Sequence, residues 1–583
     1  SSYAIDGHYW IVTNTNSTGE GSLKWACQNA TQNDTIIFLF NEPGNKVIKS
    51  DGEFVLGASV DGSSFPDSII IKPGFSLKNR VPVIKDIVIE GNKKNYGIVG
   101  GGSSSNVPDL IENCVIRNCS IGVNGAKLIE GCQILNNKIG IFSSAHGGFV
   151  EKILNCVVSG NDSIGIAGEY YCIENNIIGL SPDQRYAMPN GVGILGNGQY
   201  GQLDTVRNNV ISGNFSDGIA LQGRTSIEVF EGNLVGTNKY FDSNPDLGNG
   251  DCGLSLSSGS NIGISYFSNN YFGNNRKYGV YNATNASLTI KSSYFGVGKN
   301  GNSMPNYVAG IYTDAYSELN LKNCSISNNG DGIKRETAIG QTTLDSCVFD
   351  NNSGFGVSIN LTQYSGGLEI TNSKFSSNEK SAVSLAGILP PTYKFSNNLF
   401  ENTQRKSDSS QALDLGISLP IPQLTTISYE DGQFTIIGKV DTMSKANIEL
   451  YYTNGELQTA HKFLKSDSTS VEGDFSFTIL EDEISESGKI YFSATATYGR
   501  RTSQLSEPFS CNSCCSIDTI IAPVDTVFYG EKFLDEVYAI GRHDSIFETI
   551  ALPNGCDSVV MHTLIVKPDP EVLNYYVKTS RQG

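Results

Sequence analysis

From about residue 110 to residue 400 the chain repeats one short phrase of polar and apolar positions. An Asn or small residue comes first, then Asn, Cys or Ser, then any residue, then a large apolar one. The series opens with Asn113-Cys114-Val115-Ile116, Gly131-Cys132-Gln133-Ile134 and Asn155-Cys156-Val157-Val158. It passes through Asn208-Asn209-Val210-Ile211 and Asn269-Asn270-Tyr271-Phe272, and closes with Asn397-Asn398-Leu399-Phe400. Second positions are separated by 18, 24, 20, 33, 24, 37, 23, 31, 23, 26 and 25 residues. The common spacing fits one coil of a β-solenoid, and the longer ones fit coils that carry a loop. A second phrase, Gly followed by Ile or Val, comes after most of these, as in Gly122-Val123, Gly140-Ile141, Gly218-Ile219 and Gly310-Ile311. Period-two alternation predicts strands. Gly supplies positive φ at the corners between them, and Asn suits left-handed corners or an amide ladder along the axis. The pattern predicts an all-β fold dominated by a right-handed parallel β-helix over residues 1–405.

Cys114, Cys132, Cys156, Cys324 and Cys347 occupy the same slot as Asn176, Asn209, Asn233, Asn270 and Asn398. One reading is metal or redox chemistry. The other is a column of small side chains facing the solenoid interior. No CxxC spacing or His accompanies the five, which favours the interior column. Neighbouring coils ~4.8 Å apart leave an inter-coil disulfide open on distance.

A solenoid end exposes strand edges and must be capped. Trp10-Ile11-Val12 reads as a strand, and Leu23, Ala26, Cys27 and Ala30 share a helical face behind a Ser22 N-cap. Asp34 to Phe40 then begins a buried strand. Beyond Phe400 the phrase stops. Residues 406–424 are polar, with Pro420 and Pro422, and read as a linker. Residues 425–510 hold separate strands at 434–438, 448–452, 475–479 and 490–496, which predict an immunoglobulin-like sandwich. Residues 511–570 read as a small β-module whose Cys511, Cys514, Cys515 and Cys556 suggest a disulfide set in an exported domain. Residues 571–583 read as the start of a further segment, another β-helix. The chain opens at Ser1 without Met or an apolar leader, and so reads as a trimmed fragment of a longer protein.

The chain has 41 basic and 59 acidic residues, a formal charge of −18. That balance argues against nucleic acid as a partner. No apolar run reaches about 18 residues, so no membrane span is expected. The 63 Gly against 18 Pro do not form a disordered-linker composition.

The stretch VTNTNSTGEGSLKWACQNATQNDTIIF, residues 12–38, resembles the opening of secreted β-helix surface proteins of Bacteroidota. Their usual form is VTNT-(N/D)-x-x-G-x-GSLR-x-AI followed by a DTI-(I/V)-F strand. Lys24 stands where Arg is usual, and Trp25-Ala26-Cys27 departs from the common form. NVISGNFSDGIALQG (209–223) and EGNLVGTN (231–238) are similar to the coils of that family. The resemblance implies an extracellular protein at the cell surface, associated with the outer membrane and exported through the type IX secretion machinery. It implies an adhesin or display scaffold that meets polysaccharide or another surface component. It brings no shared catalytic motif. In such proteins Asp-(Ser/Thr)-apolar strings are O-glycosylation acceptors, which here marks Thr35, Ser68, Ser163, Thr205, Thr519, Ser545 and Ser558.

Parallel β-helices also carry polysaccharide lyases and hydrolases, so fold alone does not decide function. Polygalacturonase-like hydrolysis needs three Asp and a Gly-His-Gly string. The nearest is Ala145-His146-Gly147-Gly148, with no Asp pair on the following coils, so His146 reads as a loop residue. A lyase needs a Lys or Arg base beside carboxylates. Asp331, Lys334, Arg335 and Glu336 are the best such cluster, and its plainer reading is a solvated mixed-charge rim. Insertions at 180–192, 237–253 and 297–310 follow Gly179, Gly236 and Gly296, which are 57 and 60 residues apart. They should project from one side, two coils apart, as binding surfaces often do. Within the second, Asp242, Asn244 and Asp246 start like an EF-hand and suggest Ca²⁺. Leu247 occupies position six, however, and no Glu closes the loop. The expectation is a non-catalytic binding or display protein. Its rivals are a polysaccharide lyase or glycoside hydrolase, and a purely structural spacer.

Overall fold

In a computed structural model the described residues are 7–568 without 101–105, 144–149, 199–201, 258–261, 315, 338–339, 362–365, 388–391, 402–412, 416–418, 442–444, 454, 456–458, 485–489, 511–518 and 552–556. The chain divides into two compact units, Ser1–Ser418 with Arg500–Thr502, and Leu419–Gly499 with Ser503–Gly583.

The first unit is a right-handed parallel β-helix of three sheets. After the N-terminal cap each coil gives one strand to each sheet in the same order, and the coil-to-coil pairings are parallel and in register apart from one irregularity between Ile264 and Phe267. A typical coil is Pro108–Glu112 in the first sheet, Val115–Arg117 in the second and Ile121–Asn124 in the third. The second and third sheets each contain 15 strands. The third runs on to Leu413–Asp414, paired with Val383 and Ser384, inside the stretch expected to be a linker.

Two sharp corners per coil set this geometry. At the first, Asn113, Asn155, Asn175, Asn208, Asn269, Asn323, Asn372 and Asn397 hold φ between 51° and 58°. Asn tolerates that left-handed region better than other side chains. The next residue turns its side chain inward and accepts the backbone N–H of the equivalent residue one coil earlier. Cys132 Sγ accepts from Cys114 N at 3.4 Å and Cys156 Sγ from Cys132 N at 3.4 Å. Asn176 Oδ1 then accepts from Cys156 N at 2.9 Å, Asn209 Oδ1 from Asn176 N at 3.0 Å, and Asn233 Oδ1 from Asn209 N at 3.0 Å. These cysteines are buried with free thiols, as the interior-column reading holds.

The second corner repeats the device. Asn137, Asn161, Asn190, Asn214, Asn249, Asn275, Asn306, Asn329, Asn352 and Asn378 form a second buried column, with Cys119 at its head. The sequence reading missed it. Its signal is an Asn three or four residues before the Gly of the Gly-(Ile/Val) phrase. That Gly is not needed for positive φ, contrary to expectation; the corners' positive φ belongs mostly to Asn. It is needed for space. A methyl group at Gly140 would meet the Gly165 carbonyl oxygen at 2.4 Å and the Asn161 amide at 2.9 Å.

Between the columns the inward second-sheet position is filled by Ile116, Ile134, Val158, Ile178, Ile211, Val235, Phe272, Phe295, Ile326, Phe349, Phe375 and Phe400, all buried. Stacked rings continue the register, with Phe349 and Phe375 centroids 4.7 Å apart and nearly parallel. Each such side chain contributes roughly 1.5–3 kcal/mol through burial.

Helix α1, Leu23–Asn29, closes the N-terminal end, with Ser22 Oγ accepting from Trp25 N. Asp34 ties this cap together. It accepts from Thr31 N (2.7 Å), His8 N (2.9 Å) and Trp10 Nε1 (3.2 Å), and these bonds, led by Thr31, hold its carboxyl at about 2. Thr35 beside it is buried, so this glycan-acceptor candidate is enclosed rather than presented.

In the second unit, Gln423–Glu430, Gln433–Lys439 and Asp474–Leu480 form an antiparallel sheet. Asn447–Thr453 pairs with Lys462–Ser468 and Tyr491–Tyr498, and the last pairs with Phe509–Ser510. Phe434, Ile436, Ile448, Leu450, Phe477 and Phe492 share one core between the two sheets. The small module is built on Asp557–Lys567, parallel to Thr519–Ile521 and Asp525–Phe528 and antiparallel to Gly541–Ala551. Cys511, Cys514, Cys515 and Cys556 lie outside the described residues.

Asn209→Ala would leave Asn176 N and the Ile173 carbonyl, 2.8 Å from Asn209 Nδ2, without partners, at a cost of about 3 kcal/mol. Asn209→Cys, which keeps an acceptor of the kind used at Cys132 and Cys156, should lose less. Melting temperature and hydrogen exchange at the Asn176 amide check both; equal losses would contradict the ladder's role.

Candidate functional site

The three insertions leave the second sheet and return to the third at the second corner. The first and third are built alike. Leu180 bridges Ala187 and Val297 bridges Ser303. Met188-Pro189-Asn190 and Met304-Pro305-Asn306 bring the chain back to the Asn column, with Met188 N bonded to Gly179 O and Met304 N to Gly296 O. The second insertion contains the 3-10 turn Pro245–Leu247 and rejoins the column at Asn249.

They do not project separately. Leu180, Val210 and Leu247 form one buried cluster against Ile177, Ala187 and Leu234, so the first two insertions fold back over the outer face of the second sheet. They also bind one another. Gln184 accepts from Asn238 Nδ2 and Lys239 N at 3.0 Å, and Asn302 Nδ2 donates to Phe241 O at 3.0 Å. Phe241 packs edge-on against Tyr271 at 4.8 Å. The result is a continuous, internally bonded ridge.

Aromatic rings stand out along this ridge and the corner beside it. Phe215 is 73% exposed, Tyr186 59%, Tyr307 52% and Tyr240 38%. The Arg185 guanidinium lies 4.2 Å from the centre of the Tyr240 ring, an attractive cation–ring contact. These exposed rings on internally bonded loops make the ridge a candidate contact surface.

The third sheet's outer face adjoins the ridge and carries a second aromatic group. The rings of Tyr278, Tyr281 and Tyr312 lie 4.6–5.5 Å apart. Tyr312 donates to Glu336 at 2.8 Å and Tyr281 to Asp314 at 3.5 Å. The Tyr312 hydroxyl helps hold Glu336 below the usual carboxylate range. Burial pushes Asp217, Asp314 and Asp331 above it.

The expected lyase cluster loses Arg335 here, while Asp331, Lys334 and Glu336 remain close to one another. Lys334 faces outward and pairs with Glu336 at 3.1 Å. Asp331 accepts from Phe355 N. Arg335 points the opposite way, fully buried inside the solenoid. Its guanidinium donates to Thr313 Oγ1 (2.8 Å), Thr342 Oγ1 and Ser317 O (2.5 Å), and burial lowers it to about 9. Strict alternation from the inward Ile333 carries this signal, since Lys334 must then face out and Arg335 in.

The expected Ca²⁺ residues are engaged by their own loop. Asp242 accepts from Asn238 Nδ2, and Asn244 Oδ1 caps the turn at Asp246 N. Among the described residues the converging donors are Asp217, Asp251 and Cys252, within 4.8 Å of one another. Lys277 already pairs with Asp251 at 2.8 Å, and Cys252 N donates to Asp217. A thiol beside two engaged carboxylates is a poor donor set for Ca²⁺. Of the glycan-acceptor candidates, Ser68, Ser163 and Ser545 are exposed and Thr205 is half-buried. His146 and the side chains of Thr519 and Ser558 lie outside the described residues.

Residues 247–400 match the family described as a right-handed β-helix region. No curated protein matches the chain. Among solved structures, ORF18 of Geobacillus virus E2 is similar, at 11% identity over 95% of this chain and 86% of that one, with a TM-score of 0.20. The tailspike protein gp49 of Acinetobacter baumannii bacteriophage Fri1, a capsular polysaccharide depolymerase, is 10% identical over 80% of this chain and 77% of its own, with a TM-score of 0.20. No helix among the described residues is long and apolar enough to cross a membrane.

Arg335→Ala would unpair three buried acceptors and open a cavity, and should cost about 3–5 kcal/mol. Lys334→Ala should cost under about 0.5 kcal/mol. Denaturant unfolding of the two variants checks the contrast; similar costs would contradict the inward placement of Arg335.

Proposed function

We propose that the protein is an extracellular surface module that binds polysaccharide without turning it over, as an adhesin or display scaffold. The carrying observation is the ridge. Exposed Tyr186, Tyr240 and Tyr307 sit on insertions tied to one another by hydrogen bonds, the first two also by a buried cluster, and exposed Phe215 stands at the corner beside them. Tyr and Phe offer broad contact area at low cost in side-chain entropy, and a prebuilt frame loses little freedom on binding. The apolar face of a sugar ring suits such a surface.

The resemblance at residues 12–38 supports placing the protein at the surface of a Bacteroidota cell, exported by the type IX machinery. The immunoglobulin-like reading of 425–510 draws support from strand order. Its first, second and fifth strands form one sheet, and its fourth, third, sixth and seventh form the other. Ser68 and Ser163 remain the accessible glycan-acceptor candidates in the described part of the solenoid.

A second reading, a polysaccharide hydrolase or lyase, is favoured by one observation. Burial pushes the Asp314 and Asp331 carboxyls up beside the outer face that carries Tyr281 and Lys334, a setting in which a general acid works.

The triple variant Tyr186→Ala, Tyr240→Ala, Tyr307→Ala should lose at least tenfold in glycan-array affinity, about 1.4 kcal/mol, with an unchanged melting temperature. Unaltered binding would refute the ridge. New reducing ends or unsaturated products, lost on Asp331→Asn, would establish the enzymatic reading instead.

A further inference from the structure

The N-terminal coils contain a groove that the ridge does not reach. It spans about 490 Å³ and runs past four successive coils at the first corner. One side is the segment 62–68, which, like 39–45 one coil earlier, is longer than the two-residue corners at 86–87 and 113–114. Coil spacing of ~4.8 Å gives the groove a length of roughly 14 Å.

That segment is fixed in place. Asp61 Oδ1 accepts from Ser63 N and Ser63 Oγ at 2.9 and 2.6 Å. Ser64 exchanges bonds with the Phe38 backbone, 3.1 Å each way. Phe65 is buried edge-on against Phe40 at 5.3 Å. Asp67 Oδ2 accepts from Gly44 N at 2.7 Å, and Asn45 Oδ1 from Ser68 N at 3.1 Å. Gly62 passes so close to the next coil that a methyl group would meet Asp86 O at 2.1 Å. The loop therefore shapes a standing concavity.

The lining separates into two kinds of surface. The apolar part of the floor is Val88 and Val115, side by side in register on the outward second sheet, with Phe65 and Ile87 buried beside them. The rim is polar, with Asn45, Ser63, Asp67, Ser68, Asp86 and Asn113. Neither the Asp86 carboxylate nor the second Asp67 oxygen has a partner among the described residues. Among the described residues no Lys, Arg or His lines the groove. Lys46 nearby is turned to the Pro43 carbonyl and the Phe40 and Phe65 rings.

We propose that this groove is a second glycan subsite, separate from the ridge and selective for uncharged sugars. The C–H face of a sugar ring rests on the Val88–Val115 floor. Its hydroxyls donate to Asp86 and Asp67 and accept from the amides of Asn45 and Asn113. A uronic acid or sulfated sugar brings its anion against two carboxylates with no cation to offset them, which excludes polyanions.

The test uses the full chain titrated by calorimetry with cellotetraose, mannotetraose, maltotetraose, chitotetraose and tetragalacturonate. Val115→Glu and Val88→Glu place a carboxylate on the floor from outward positions, and melting temperature confirms folding. The expected result is binding of a neutral tetrasaccharide that either floor variant weakens at least tenfold. Salt should not affect it. Binding weakened only by the ridge variant would overturn the groove and leave the ridge reading intact. Preference for tetragalacturonate, or no binding at millimolar concentration, would overturn the groove as well.

Discussion

One hydrogen bond, repeated coil after coil, carries the architecture. At each corner the backbone turns too sharply for strand pairing, which leaves a buried N–H that must find an acceptor. A side chain from the next coil supplies it, at 2.9–3.0 Å from Cys156 N, Asn176 N and Asn209 N. Because the acceptor comes from the adjacent coil, satisfying one corner fixes the register of the next. A slip of one residue would remove the acceptor and turn the inward Ile and Phe outward at the same time. Two such columns, one at each end of the second sheet, hold the sheet between them.

That constraint determines which surfaces are free for function. Inward positions are committed, even at Arg335, where the interior accepts a guanidinium only because Thr313, Thr342 and Ser317 surround it. Insertions can enter only at corners, and they must return to the Asn column. Asn190, Asn249 and Asn306 do this after each of the three loops. The first two loops consequently fold over the second sheet and leave the third sheet open. Aromatic and carboxylate side chains collect on the ridge and the open sheet because the frame beneath them does not need those positions.

Much of the solenoid was legible from the chain alone. The Asn/Cys phrase fixed the coil count between residues 110 and 400, and Ser22 with Leu23, Ala26 and Cys27 located the capping helix. Strands of the second unit expected at 434–438, 448–452, 475–479 and 490–496 were equally clear because they alternate strongly. Lys462–Ser468 was missed because it is a polar strand with little apolar signal. The second Asn column was overlooked because its spacing from the first varies with insertion length, which hides it from a fixed-period search. The site was less legible still. Tyr186, Tyr240 and Tyr307 are distant in sequence and come to one ridge only because loops two coils apart interlock. Arg335 was grouped with its neighbours by proximity in sequence, although alternation sends it to the opposite face.

The central claim, that Asn and Cys columns run inside coils stacked in register, has a direct test in the protein's own thiols. Cys114, Cys132 and Cys156 lie in the first column and Cys119 in the second, while Cys172 is half-buried on the outer side. Burial raises the Cys114 thiol well above its ordinary range and Cys119 to about 12. Alkylation of the reduced native protein, read site by site by mass spectrometry, should label Cys172 and spare the other four until the chain is unfolded. Labelling of Cys132 or Cys156 in the native protein at the rate of Cys172 would contradict the account.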